Sequence, residues 1–215
     1  MLECLPNDYQ TPERLLPVMS AARKANAENT CALILAGGQG RRMNFSDKGL
    51  LEWQGKTLTQ HVIDAIQPQL NKIVISANQH HTQYQQFKYP VIADESDGFQ
   101  GPLSGMAAAM KFCQQMEFLL VLPCDCPTPP ADIFVRLSEA LYQSPSKKIA
   151  IVDDGNRLQP LFGLYNTSLL TALTSALAQN HNKVMQFVKD HSVVTVDYSK
   201  NAGDFKNFNQ PEDMQ

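Results

Sequence analysis

The stretch Leu35-Ala36-Gly37-Gly38-Gln39-Gly40-Arg41-Arg42-Met43 combines glycines with cations in a way that suits anion chemistry. Three glycines let the backbone turn tightly and present amide N–H groups with no β-carbon in the way. Arg41, Arg42 and Lys48 bring three positive charges against one negative, Asp47. Such a loop suits a polyphosphate. It is not a Walker A loop, because no Gly-Lys-Ser/Thr follows, and it is not the dinucleotide fingerprint, because Met43 stands where the third glycine belongs. Glycines alone are equally consistent with a plain strand-to-helix turn; the offsets of Arg42 and Lys48 favour phosphate.

Asp125, in Pro123-Cys124-Asp125-Cys126-Pro127, follows the most apolar run of the chain, Phe118 to Leu122. An aspartate there can cap a helix, but the next helical pattern starts near Pro130, too far away. The better reading is a magnesium ligand, since Mg²⁺ takes hard oxygens, one or two carboxylates and substrate phosphates. Cys124 and Cys126 lack a second Cys/His pair at zinc spacing. His61, His80, His81, His181 and His191 form no spaced ligand pair and read as surface or cap residues. Gly101-Pro102-Leu103-Ser104-Gly105 has the wrong spacing for a serine nucleophile elbow.

The elements around these residues alternate between strand and helix. Ala32–Leu35, Ile73–Ile75, Pro90–Ala93, Phe118–Leu122, Ile149–Val152, Leu161–Tyr165 and Val193–Val196 read as strands. Helical stripes run through Leu58, Val62, Ile66 and Leu70, through Leu103, Met106, Ala107 and Met110, through Ile133, Phe134, Leu137 and Leu141, and through Leu169 to Leu177. The pattern predicts an α/β three-layer sandwich with a mostly parallel, Rossmann-like sheet. Ligands of such sheets bind beyond the carboxyl ends of the strands, where the strand order reverses. That directs attention to the residues after Leu35, Ile75, Ala93 and Leu122. Residues 1–30 read as a loosely attached N-terminal extension and 31–215 as one domain.

Composition narrows the class. Of 215 residues, 43% are apolar and 8% aromatic, enough for a core and too many for wholesale disorder. No apolar run reaches the roughly 18–20 residues of a membrane span. The formal charge of −3 argues against a general nucleic-acid binder. Five cysteines, an odd number without a secretory pattern before them, read as reduced thiols in the cytoplasm.

Leu35-Ala-Gly-Gly-x-Gly-x-Arg-Met43 followed by Asp47-Lys48-Gly49-Leu50-Leu51 resembles the signature of nucleotidyltransferases of the nucleoside-diphosphate-sugar transferase fold, and more narrowly of the molybdenum cofactor guanylyltransferases. Gly101 to Gly105, Pro123 to Pro127 and Asn207-Phe208-Asn209-Gln210-Pro211-Glu212-Asp213 continue the likeness in order. Asn44 stands where the family usually has glycine, Ser76 where asparagine is common, and Gln210 where threonine is usual. The resemblance implies transfer of GMP from GTP to molybdopterin or molybdenum-molybdopterin, with Mg²⁺ as cofactor and diphosphate released. It implies catalytic roles for Arg42, Lys48 and Asp125, with Asp125 the metal ligand. Nucleotide contacts then fall on Leu35, Ala36, Gly37, Gly38, Lys48, Ser76, Asn78, Asp94 and Asp125. The acceptor falls near Asn207 and Asn209, with Asp153 to Gly155, Arg157, Gln159, Pro160 and Lys183 as further neighbours. Molybdoenzyme chaperones and other cofactor-biosynthesis proteins are the implied partners of a monomer that binds neither nucleic acid nor membrane. Two alternatives stand beside this: a transferase using another acceptor or base, such as CTP or a sugar phosphate, and a nucleotide-binding adaptor without turnover.

Overall fold

Along the first strand, β1 (Thr30–Leu35), successive side chains enter opposite cores: Ala32 and Ile34 pack on one face, Cys31 and Leu33 on the other. Phe118, Leu120 and Leu122 of β6 (Phe118–Pro123) likewise face one core, and Leu119 and Val121 the other. A strand covered on both faces has no polar side to display, which is why these runs read as continuous apolar segments. The computed structural model describes residues 23–36, 47–94, 101–208 and 213.

Within them lie β2 (Glu52–Trp53), β3 (Lys56–Thr57), β4 (Ile73–Ser76), β5 (Val91–Ile92), β7 (Ile149–Asp153), β8 (Leu158–Asn166) and β9 (Val193–Asp197). The helices are α1 (Leu58–Ile66), α2 (His81–Gln85), α3 (Pro102–Phe112), α4 (Ile133–Tyr142), α5 (Leu170–Ala178) and α6 (Val184–Lys189). The described residues form a seven-stranded sheet ordered β5-β4-β1-β6-β8-β7-β9, with β2 and β3 as a separate hairpin. Buried residues of α1, α2 and α4 fill one core, and those of α3, α5 and α6 the other, giving three layers. The predicted α/β sandwich is the observed one.

Every strand pairing of the large sheet is parallel except those of β8, which runs antiparallel to both β6 and β7. A short loop joins β7 to β8, and such a connection can only return antiparallel. Asp154 builds that turn, its Oδ1 accepting the amides of Asn156 and Arg157, both at 2.8 Å. Gly155 sits at φ +84°, and its missing β-carbon would fall 2.7 Å from Ser199 Cβ.

Two local readings need correcting, and the tail holds a finding of its own. The helix expected from Pro130 starts at Ile133, because Asp132 takes the cap position and Pro130 only accepts from the Ile133 amide at 3.0 Å. Leu70 lies past the end of α1, yet a turn through Ile66 O at 2.9 Å buries it with the helical stripe. The tail after β9 is polar in composition but not in packing. Its 3₁₀ turns (Ser199–Phe205) bury Phe205, whose ring meets Phe162 edge-on at 5.0 Å, and Phe208 is buried beyond them. Of the extension, residues 23–29 lie against the domain: Ala25 is buried, Ser138 Oγ donates to Ala25 O at 2.7 Å, and Arg23 pairs with Glu117.

Candidate active site

The chain leaves β1 for β4 and β5 on one side and returns through β6 on the other, so the strand order reverses beside β1. A crevice opens at such a switch point, past the carboxyl ends of the strands. Leu35 is level with Ser76 on one side and with Pro123 on the other. Ala36, Ala77-Asn78 and Cys124-Asp125 are therefore the first residues beyond the sheet edge. There Lys48 Nζ stands 3.2 Å from Asp125 Oδ2, with side chains 24% and 18% exposed. Two sequence-predicted catalytic residues 77 positions apart thus meet at the predicted place. Gly37, Gly38, Gly40, Arg41, Arg42 and Asn209 lie outside the described residues.

Lys48 is held by a scaffold that the sequence did not announce. It opens a single 3₁₀ turn, Lys48–Leu50, capped by Asp47, whose Oδ1 accepts the Gly49 amide at 3.1 Å. Tyr84, fully buried on α2, donates its hydroxyl to the same Oδ1 at 2.5 Å. Burial pushes the Asp47 carboxyl above its usual range, while the bonds from Tyr84 and Gly49 oppose the rise. Gly49 has no room for a side chain: a β-carbon would lie 2.6 Å from Thr59 Oγ1 and 3.3 Å from Cys124 Sγ. The sequence shows Asp47 as a charge within the signature but not as a support for Lys48, and a tyrosine in a short polar helix gives no sign of which carboxylate it reaches. Tyr84→Phe removes a hydrogen bond to a half-buried carboxylate, worth about 1.5–3 kcal/mol. Its thermal unfolding midpoint is expected to fall accordingly; an unchanged melt excludes that role for the hydroxyl.

On the β4 side, Asn78 and Asp94 form a reciprocal pair. Asn78 Nδ2 donates to Asp94 Oδ2 and Asp94 N donates to Asn78 Oδ1, both at 2.9 Å. This ties the loop after β4 to the loop after β5 and fixes the Asp94 carboxylate at the crevice wall. Ser76 is buried under the first turns of α3: a β-carbon on Gly105 would sit 2.6 Å from Ser76 Oγ and 2.9 Å from Leu35 Cδ2. The glycine at 105 thus lets α3 lie directly on the strand ends. Gly101, at φ +79°, and Pro102 at the first helical position aim the α3 N-terminus at the same edge. At Leu35 and Ala36 the main chain is already engaged. Leu35 O accepts from Cys124 N at 3.1 Å, and Ala36 N donates to Ser76 O at 2.8 Å. The Ala36 amide is therefore spent in the sheet.

On the β6 side, Phe208 N donates to Asp125 O at 2.7 Å, which fastens the Asn207-Phe208 segment to the metal-ligand candidate. Phe208 also packs edge-on to Trp53 at 5.1 Å. Asn207 lines a cleft of about 210 Å³ with Pro123, Arg157, Gln159 and Pro160, beside Asp125. Asp154 is structural there: burial would raise its carboxyl, but bonds from Gln159 and the Arg157 and Asn156 amides outweigh that and hold it low. Lys183 is exposed at the start of α6. Among the described residues, no three His, Cys, Asp or Glu side chains cluster as a ready metal cage.

The thiols flanking Asp125 are buried and free. Cys124 is buried, and burial first, then the negative charges of Asp125 and Asp47, push it well up. Cys126 is pushed up to about 12 by burial and Asp125, and its Sγ donates to Asp204 O at 3.0 Å. Since the thiolate is the nucleophile, a thiol titrating that high stays protonated at pH 8. Iodoacetamide at pH 8 is expected to leave both unlabelled in the folded protein and to label both after denaturation, as read by peptide mass mapping.

A mostly parallel α/β sheet with a cation–carboxylate pair at its switch point is the architecture of a phosphate-ligand site in an open α/β domain. The model of the MobA-like NTP transferase domain family matches residues 32–195, and the chain belongs to that family. It is 40% identical over 184 residues to the molybdenum cofactor guanylyltransferase of Pasteurella multocida, covering 86% of this chain and 96% of that one. The enzyme of the same name from Shewanella sediminis is also 40% identical, over 86% and 93% of the two chains. Among solved structures, the molybdopterin-guanine dinucleotide biosynthesis protein A of Archaeoglobus fulgidus shares the fold, with a TM-score of 0.70 and 22% identity over 85% of this chain and 94% of that one. No helix among the described residues is long and apolar enough to cross a membrane.

Proposed function

We propose that the protein transfers GMP from GTP to molybdopterin or molybdenum-molybdopterin, forming the guanine dinucleotide and releasing diphosphate. The observation that carries this is 40% identity across 96% of a guanylyltransferase. The Lys48–Asp125 pair at the switch point supplies the chemistry. The attacking phosphate is anionic near neutral pH, so no general base is needed. What matters is alignment of two like-charged reactants and stabilisation of charge on the leaving group.

Asp125 fits a magnesium ion that also binds substrate phosphates: it is a half-buried hard-oxygen donor at the crevice floor. Its present partner is Lys48 Nζ at 3.2 Å, longer than the roughly 2.7–2.9 Å of a strong charge-assisted bond. Magnesium there would neutralise phosphate charge and orient the triphosphate. Lys48, a point charge on a flexible stem, then turns to the phosphates. Arg42, Gly37 and Gly38 are assigned to the phosphates by the sequence motif alone, and the α3 N-terminus adds a favourable dipole. Asp94, held by Asn78, offers carboxylate oxygens to the donors of the guanine edge or ribose. Asn207, in the lining of the cleft at Pro123, faces the acceptor, and Asn209 is assigned to the acceptor by the motif alone. The reaction takes place in the cytoplasm on a monomer, and cofactor-biosynthesis proteins or molybdoenzyme chaperones receive the product.

The test is a competition assay with molybdopterin, Mg²⁺ and equimolar GTP, CTP and ATP, reading the dinucleotide formed. Guanine dinucleotide should dominate. Equal use of the three nucleotides discards the guanine assignment, and nucleotide binding without diphosphate release leaves only an adaptor.

A further inference from the structure

At the opposite end of the sheet from the crevice, a second pair of cysteines meets. Cys31, the second residue of β1, and Cys113, the cap residue that ends α3, have their sulfurs hydrogen-bonded at 3.0 Å across 82 positions of sequence. Neither is disulfide-bonded. The two are not equivalent. Cys31 is buried under α3, whereas Cys113 is partly exposed. Both line a cleft of about 500 Å³ with Lys72, Tyr89, Phe112 and Met116, wide enough for a small disulfide to reach Cys113. Lys72 Nζ lies 3.5 Å from Met116 Sδ and donates to Glu28 O at 2.9 Å, which keeps its positive charge at the cleft wall.

We propose that Cys31 and Cys113 form a reversible intramolecular disulfide, with Cys113 as the attacking thiol and Cys31 as the resolving one. Thiol–disulfide exchange with a low-molecular-weight disulfide, RSSR, balances the step. The Cys113 thiolate attacks one sulfur of RSSR, forming a mixed disulfide and expelling RS⁻. Cys31, losing its proton, then attacks Cys113 Sγ and expels the second RS⁻. Two protein thiols and one RSSR become one protein disulfide and two RSH, so two electrons pass from the cysteines to the small disulfide.

Electrostatics favour that order of events. The hydrogen bond shared with Cys31 holds the Cys113 thiol below its ordinary range against the opposing effect of burial, and Lys72 adds to the lowering. Cys31 is pushed up first by the same bond and then by burial, which keeps it protonated until Cys113 is capped by the mixed disulfide and that bond is gone. Cys124 and Cys126 stand apart from this chemistry, buried with their sulfurs at Gly49 and Asp204. The covalent tie would fix the C-terminal end of α3 to the start of β1, whose other ends carry Gly105 and Leu35 at the crevice. It does not depend on which nucleotide the crevice takes.

The test is incubation of the full chain with oxidised glutathione, followed by non-reducing peptide mass mapping of the Cys31 and Cys113 peptides. The expected product is the linked pair of peptides less two hydrogens, reversed by dithiothreitol, with a raised unfolding midpoint. Cys31→Ser is expected to trap glutathione on Cys113, and Cys113→Ser to leave Cys31 unmodified. Wild-type protein that keeps glutathione on Cys113 without linkage, or keeps both thiols free, overturns the proposal. So does glutathione on Cys31 in the Cys113→Ser protein.

Discussion

Asp125→Asn is expected to lower GMP transfer by about 10²–10³-fold at saturating Mg²⁺ while the protein remains folded. The substitution keeps the size and planar shape of the side chain. It also leaves the Asp125 carbonyl that Phe208 N holds at 2.7 Å, so Asn207 stays in place. What it removes is the negative charge, and with it the hard donor that a divalent cation requires. The cost to stability should be about 1–3 kcal/mol, because Lys48 loses a charged acceptor in a mostly buried pair but keeps some contact with water. Steady-state transfer assays beside a thermal melt separate the two effects. Wild-type turnover in this variant would remove Asp125 from the metal role and with it the mechanism built on it.

The second large effect belongs to a residue without a side chain. Gly49→Ala is expected to cost about 1–3 kcal/mol of stability, as overpacking of a filled site does. It should also lower transfer by about 10²-fold, since misplacing a catalytic group by around 1 Å can cost that much. The added carbon collides with Tyr84 and with Thr59 Oγ1 at 2.6 Å, so the 3₁₀ turn must move outward. Lys48 opens that turn and moves with it. Gly203→Ala is the matched control, because nothing lies within 4 Å of its β-carbon position. Its melt and its transfer rate should match wild type. Equal behaviour of the two variants would mean that the turn tolerates displacement and does not set the position of Lys48.

The short elements show where local pattern ran out. α2 and α6 span 5 and 6 residues, too few turns for an apolar period to declare itself. β2 and β3 are 2 residues each and exist only because they pair with one another. The antiparallel sense of β8 follows from its short connection to β7 through Asp154-Gly155, a turn-forming dipeptide, but its insertion between β6 and β7 has no local signal. The packed tail was hidden for a different reason. Phe205 and Phe208 are isolated aromatics in a polar stretch, and isolated residues carry no periodicity.

By itself the sequence determined the α/β class, the two-sided burial of β1 and β6, and the chemical kind of the crevice, because each depends on residues close together in the chain. Runs of apolar side chains report their own burial, and Asp47-Lys48 and Pro123 to Pro127 report their own functional groups. Only the tertiary structure decided that Lys48 meets Asp125, that Tyr84 holds the carboxylate supporting Lys48, that Ser76 lies under Gly105, and that Cys31 touches Cys113. Those contacts join residues separated by 77, 37, 29 and 82 positions. Their geometry is fixed by strand order and helix packing, which no local window of residues contains.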